Sequence, residues 1–132
     1  MNKIVVRFAD GRTLKGFTND FFPNKPVFHA QPLDAPPGLK PVEISIQDLK
    51  AVFFVKDFAG HPEHKKQKEF DPAHPLAGRK LKVIFKDDEV MVGTTQGYQP
   101  DRPGFFMVPA DAAGNNERCF VVMAATKKIE FP

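Results

Sequence analysis

Lys3-Ile4-Val5-Val6-Arg7-Phe8-Ala9-Asp10-Gly11-Arg12-Thr13-Leu14-Lys15-Gly16-Phe17-Thr18 returns, altered but in step, as Lys80-Leu81-Lys82-Val83-Ile84-Phe85-Lys86-Asp87-Asp88-Glu89-Val90-Met91-Val92-Gly93-Thr94-Thr95. Both segments alternate apolar and polar residues, the period of a half-buried strand, with Ile4, Val6 and Phe8 answering Leu81, Val83 and Phe85. An acidic turn follows, Asp10-Gly11 in the first segment, which is hairpin chemistry. A second apolar run then carries one glycine, Gly16 or Gly93, where the missing side chain lets a strand bend sharply.

The correspondence extends outward from there. A shift of 77 positions aligns 3–55 with 80–132 without a gap, and 14 of the 53 pairs are identical, among them Pro23/Pro100, Pro26/Pro103, Phe28/Phe105, Pro32/Pro109, Lys50/Lys127 and Phe54/Phe131. Unrelated segments of average composition share about three or four. The chain is therefore an internal duplication. After the bent strand each copy has a Pro-rich loop, then a strand near Val27–Gln31 or Phe105–Val108, another at Val42–Ile46 or Cys119–Met123, and a short last one at Val52–Val55 or Ile129–Phe131. The expected class is all-β: a first five-stranded small barrel at 1–55, a connector at 56–79 and a second barrel at 80–132. A single ten-strand sandwich is the alternative. The connector has no strand period, and Pro62, Pro72 and Pro75 limit Lys65-Lys66-Gln67-Lys68-Glu69 to a short helix.

The pattern Val6-x-Phe8-x-Asp10-Gly11-Arg12-x-Leu14-x-Gly16, with Leu49-Lys50-Ala51-Val52-Phe53-Phe54, resembles the Sm-like and SH3-like small barrels. That resemblance implies two tandem barrels. Sm-like RNA pockets place an Asp and an Asn after the strand glycine and an Arg-Gly pair before the last strand. Here Phe22 and Lys25 follow Gly16, Gln99 and Arg102 follow Gly93, and the family's RNA contacts do not carry over. The strings Phe53-Phe54-Val55-Lys56-Asp57-Phe58-Ala59-Gly60 and Gly93-Thr94-Thr95-Gln96-Gly97-Tyr98-Gln99-Pro100 are also similar to an uncharacterised bacterial domain family, which implies no activity.

Composition narrows the partners. With 42% apolar and 27% charged residues, 132 residues suffice for a buried core. No apolar run reaches the roughly 20 residues of a spanning helix, and charge interrupts the N-terminal apolar stretch, so the expectation is a cytoplasmic protein without a membrane partner. The net charge is +3, but basic and acidic residues number seven and five in 1–55, five and four in 56–79, and seven and seven in 80–132. Phosphate neutralisation needs clustered cations, so DNA is not expected and RNA stays a second choice.

Catalytic candidates are few. Ser45 is the one serine, and it sits on the outward side of its strand. Cys119, the one cysteine, aligns with Val42 at an inward position where it behaves as a small hydrophobe. His61-Pro62-Glu63-His64 has metal-ligand residue types, but the intervening proline blocks the helix that would present them on one face. The acids at the hairpin tips, Asp10 and Asp87-Asp88-Glu89, are expected to be wet, without the desolvation that separates paired pKa values. Neither an enzyme nor a cofactor is expected.

The loop after the bent strand is more suggestive. Phe21 with Lys25, and Tyr98 with Arg102, each put an aromatic and a cation into a loop stiffened by two prolines three residues apart. Such a loop offers a ligand surface for a single-stranded base, a Pro-rich peptide or an anion; alternatively its aromatics cover the barrel mouth. The two copies also differ at outward positions. Glu43 and Ser45 become Phe120 and Val122, and Arg7 becomes Ile84, while Phe17 and Phe53 are replaced by Thr94 and Glu130. The apolar positions Ile84, Phe120 and Val122 are expected to be covered by the other copy, the connector or another subunit, with Phe17 and Phe53 as first candidates for the contact. The expected function is a non-catalytic binding or assembly module with a protein partner or a homo-oligomeric state. Single-stranded RNA binding is the alternative.

Overall fold

Residues 1–58, 78–110 and 116–132 are described in the computed structural model of the chain. The first repeat forms β1 (Asn2–Phe8), β2 (Thr13–Thr18), β3 (Val27–Pro32), β4 (Val42–Ser45), a 3-10 turn (Ile46–Asp48) and β5 (Leu49–Val55). The second forms β6 (Arg79–Phe85), β7 (Val90–Thr95), β8 (Gly104–Pro109), β9 (Asn116–Val122), a 3-10 turn (Met123–Ala125) and β10 (Thr126–Glu130). The first three strands of each repeat and both 3-10 turns have bounds displaced by the same 77 residues.

The duplication reaches individual bonds. Thr18 Oγ1 donates to the His29 carbonyl at 2.7 Å, and Thr95 Oγ1 donates to the Phe106 carbonyl at 2.7 Å. The Ile46 N–H donates to the Pro26 carbonyl and the Met123 N–H to that of Pro103. Gly16 lies opposite Pro32 and Gly93 opposite Pro109; a Cβ at Gly16 would run into the Gln31 carbonyl oxygen, and one at Gly93 into that of Val108. Both glycines thus serve one close strand approach. Gly11, with φ +97°, and Asp88, with φ +71°, occupy the same left-handed turn position.

The all-β expectation holds, but the strands join as one antiparallel sheet in the order β10-β6-β7-β8-β9-β5-β1-β2-β3-β4, open at β10 and β4. The reason lies in β5, all seven of whose residues are buried. One edge of β5 pairs with β1, and the other takes β9 of the second repeat, with Ala51, Val52 and Phe53 opposite Val121, Phe120 and Cys119. A strand apolar on both faces needs cover on both, and the second repeat supplies it.

Two cores result, one on each face of this seam. The first holds Ile4, Val6, Phe28, Ile44, Leu49, Val52 and Phe54 with Phe120 and Val122 of the second repeat. The other holds Leu81, Val83, Phe85, Phe105, Met107, Cys119 and Val121 with Ala51, Phe53 and Val55 of the first. Each core is completed by the other repeat's strand. Burying a Phe or Val side chain stabilises by about 1.5–3 kcal/mol, so the exchange across the seam is the main apolar contribution joining the halves. The last strands begin earlier than expected because the 3-10 turns reverse the chain directly after Ser45 and Val122. No helix among the described residues is long and apolar enough to cross a membrane.

Candidate functional site

The seam is fastened by Lys50. Its place on β5 aims it at the β6–β7 turn, where Nζ meets Asp87 Oδ2 at 2.6 Å and Glu89 Oε1 at 2.5 Å and stands 4.8 Å from the Phe85 ring centre. The lysine is 5% exposed. A cation this buried needs pairing, and two carboxylates with an aromatic face provide it. The hydrogen bond from Lys50 holds the Asp87 carboxyl below its ordinary value; desolvation opposes this, and the Glu89 N–H adds to it. The hairpin acids expected to be plain solvated turn residues therefore include the anchor of the seam. The contrast of Glu89 with its counterpart Arg12 was the available signal.

The loop between β2 and β3 is built on Phe21. Its ring packs edge-on against Phe28 at 5.0 Å, Phe120 at 5.1 Å, Phe54 at 5.5 Å and Phe106 at 5.9 Å. Tyr98 packs the same way against Phe105 and Phe131, both at 5.0 Å. Both aromatics face their own packing partners. Asp20 fixes the first loop by accepting the His29 N–H at 2.9 Å, pairing with His29 Nδ1 at 2.7 Å, and meeting the Thr18 hydroxyl at 3.1 Å. Burial pushes the Asp20 carboxyl up, but these bonds outweigh it and the net displacement is downward.

At the exposed loop tip, Lys25 Nζ lies 4.8 Å from the centre of the Phe22 ring, which is 46% exposed. The cation of the second loop, Arg102, is tied to Gln99 by its Nε at 2.6 Å and its N–H at 3.2 Å. Phe21 and Lys25 thus part company: the ring enters the first core while the ammonium stays at the surface.

Beside Lys25 lies a cleft of about 590 Å³ at the meeting of the repeats. The first repeat contributes Pro23–Val27 and Ser45–Gln47, and the second contributes Pro103 and Val122–Ala124. Pro26 and Pro103 are equivalent in the duplication, as are Ile46 and Met123, so corresponding turns meet across the cleft. Its lining is mostly apolar, and Lys25 is the one cation in it among the described residues. A smaller depression of about 400 Å³ lies along Thr94–Gly97 and Phe106–Val108 beside Arg118, whose guanidinium stacks 4.3 Å from Phe54 and 4.7 Å from Phe106.

The candidate interface residues separate. Phe120 and Val122 lie in the first core and Phe53 in the second, all at the seam, though Phe120 stands opposite Val52 and not Phe53. Phe17 pairs edge-on with Phe58 at 5.2 Å, away from the seam. Ile84 is half-buried on β6 opposite Lys128 and belongs to neither core. Cys119 is fully buried in the second core. His61 and His64 lie outside the described residues.

Comparison with known proteins adds the family. No curated protein and no solved structure matches the chain. A family model described as a family of unknown function (DUF6982) matches residues 1–131, nearly the whole length across both repeats, and the chain belongs to that family.

Proposed function

We propose that this protein is a non-catalytic binding module: two small Sm-like or SH3-like barrel units fused through one seam, taking a ligand in the cleft between them. The repeated order β5-β1-β2-β3-β4 and β10-β6-β7-β8-β9 supports the small-barrel reading of each half. The observation that carries the binding reading is the cleft itself, where equivalent turns of both repeats converge on a mostly apolar lining with a cation at Lys25. An apolar floor gives affinity, and one charged group at the rim gives orientation. The ligand chemistry that fits is a flat apolar group with an anionic end. Pro23, Pro26 and the Asp20–His29 bonds hold the loop in shape before binding, which lowers the ordering cost.

Indole-3-acetate is a suitable probe. Titrated into the 15N-labelled protein, it should shift the amides of Lys25, Val27, Met123 and Ala124 together. Lys25→Glu and Ala124→Trp, which change exposed cleft residues, should each weaken the effect about tenfold or more. Unshifted cleft amides at millimolar probe, or equal binding by both variants, would refute the cleft reading.

A second reading, single-stranded RNA binding, draws on the exposed Phe22 ring with Lys25 above it, a stacking face beside a charge. It predicts binding of a mixed-sequence single-stranded RNA that falls steeply with salt and weakens in Phe22→Ala. No binding at low salt removes it.

A further inference from the structure

The seam is directional. β5 of the first repeat joins β9 of the second, and the equivalent strands, β10 and β4, are left at the two ends of the sheet. Carrying the observed register forward by 77 residues on one side and back by 77 on the other would place Lys128, Ile129 and Glu130 of one chain opposite Ile44, Glu43 and Val42 of the next. A head-to-tail contact of this kind, once made, could repeat without limit or close into a ring. The fold therefore carries a built-in path to assembly, and the side chains on that path decide whether it is used.

They differ from the seam at four of the buried apolar positions that cross it and at one of the two anchor acids. At the seam the second core receives Ala51 and Phe53 from β5, and the first core receives Phe120 and Val122 from β9. At the open ends the equivalents are Lys128 and Glu130 on β10, and Glu43 and Ser45 on β4. Ala51, Phe53, Phe120 and Val122 each have a polar counterpart there, and Val55 is matched by Pro132, while the inward residues Ile44 and Ile129 stay apolar. The anchor is altered as well. Lys127 is the counterpart of Lys50, but the residue matching Glu89 is Arg12, a cation already paired with Asp10 at 2.8 Å. Lys127 itself is engaged with Asp88 at 3.0 Å. Extension would bury Glu43 among apolar side chains and set Lys127 near Arg12, both unfavourable.

We infer that β4 and β10 are a disabled copy of the seam: the join between repeats is made once, inside the chain, and the outward differences between repeats stop a second chain from adding to either end. Charged residues on edge strands are a known means of preventing such addition. The inference concerns the sheet ends and is independent of the cleft.

Sedimentation equilibrium tests it first. The unmodified protein should remain at its monomer mass of 14.8 kDa at about 1 mM, where even an association of about 4 kcal/mol would populate dimers. The second test restores one end per chain. One variant carries Arg12→Glu, Glu43→Phe and Ser45→Val; the other carries Lys128→Ala and Glu130→Phe. Each alone should be monomeric, and mixed they should form a capped 1:1 complex at least about 100-fold tighter than either self-association. If a multiply substituted chain does not fold, the pair Glu43→Phe and Glu130→Phe on separate chains carries the same expectation. Head-to-tail oligomers of the unmodified protein, or folded restored variants that fail to associate, would overturn the inference.

Discussion

Phe120 is where the account can be pressed hardest, because the duplication supplies its own control. Its side chain is fully buried, contacts Phe21 at 5.1 Å and Phe106 at 5.2 Å, and belongs to the first core although it comes from the second repeat. Truncation by Phe120→Ala should cost about 3–5 kcal/mol from lost burial and the remaining cavity. For 132 residues an unfolding entropy of about 2.1 cal/mol/K per residue converts that into a fall of about 10–20 °C in Tm. Phe120→Glu should cost more, since it places a carboxylate among the apolar side chains of the first core. The first repeat already has glutamate at the equivalent position, Glu43, which is exposed. If burial in the seam is the cause, Glu43→Ala should change stability by no more than about 0.5 kcal/mol. Urea unfolding of the three variants, followed by circular dichroism, measures this contrast. A Phe120→Glu protein within about 1 kcal/mol of the parent, with the same denaturant slope, would refute the shared-core argument.

Other variants probe the elements separately. Gly16→Ala and Gly93→Ala should each lose about 1–3 kcal/mol by thermal melting, since the added Cβ meets the carbonyl of Gln31 or Val108; a strong effect at one position alone would contradict their equivalence. Asp88→Gly should gain about 0.5–1 kcal/mol by relieving the left-handed φ of +71°, with its exposed contact to Lys127 contributing little; a loss of stability would count against it. The folded-state pKa of Asp87 lies below the ordinary 3.8, so its contribution is full above the carboxylate range and is lost as pH falls through the folded value. Stability against pH should therefore drop below about pH 4 and drop less in Asp87→Asn; parallel acid profiles for the two proteins would exclude a role for the Lys50 anchor.

The alternation of Ile4, Val6 and Phe8 and its return in Leu81, Val83 and Phe85 made the strands and the duplication legible, because one-sided burial writes itself as period two. Gly16 and Gly93 predict a strand bend, and the structure uses them instead for close approach to the Gln31 and Val108 carbonyls of the neighbouring strand. The single sheet was less legible. Outward apolar residues on Cys119–Met123 showed that something must cover them, but not that Phe120 would stand opposite Val52 in a strand pair. Strand partners far apart in sequence leave no periodic mark. The ring of Phe21 was ambiguous because an aromatic in a loop suits either a ligand or a core, and its four ring neighbours come from both repeats. Lys50 was hidden because a lysine one residue into an apolar run resembles an exposed end, whereas its carboxylate partners lie 37 and 39 residues away.

The β5–β9 pairing is most directly tested by cross-strand nuclear Overhauser contacts in the labelled protein. Backbone contacts should connect Ala51 with Val121, Val52 with Phe120 and Phe53 with Cys119. Their absence, or a register displaced by one residue, which would exchange the faces carrying Phe53 and Phe54, would contradict the fused two-repeat sheet.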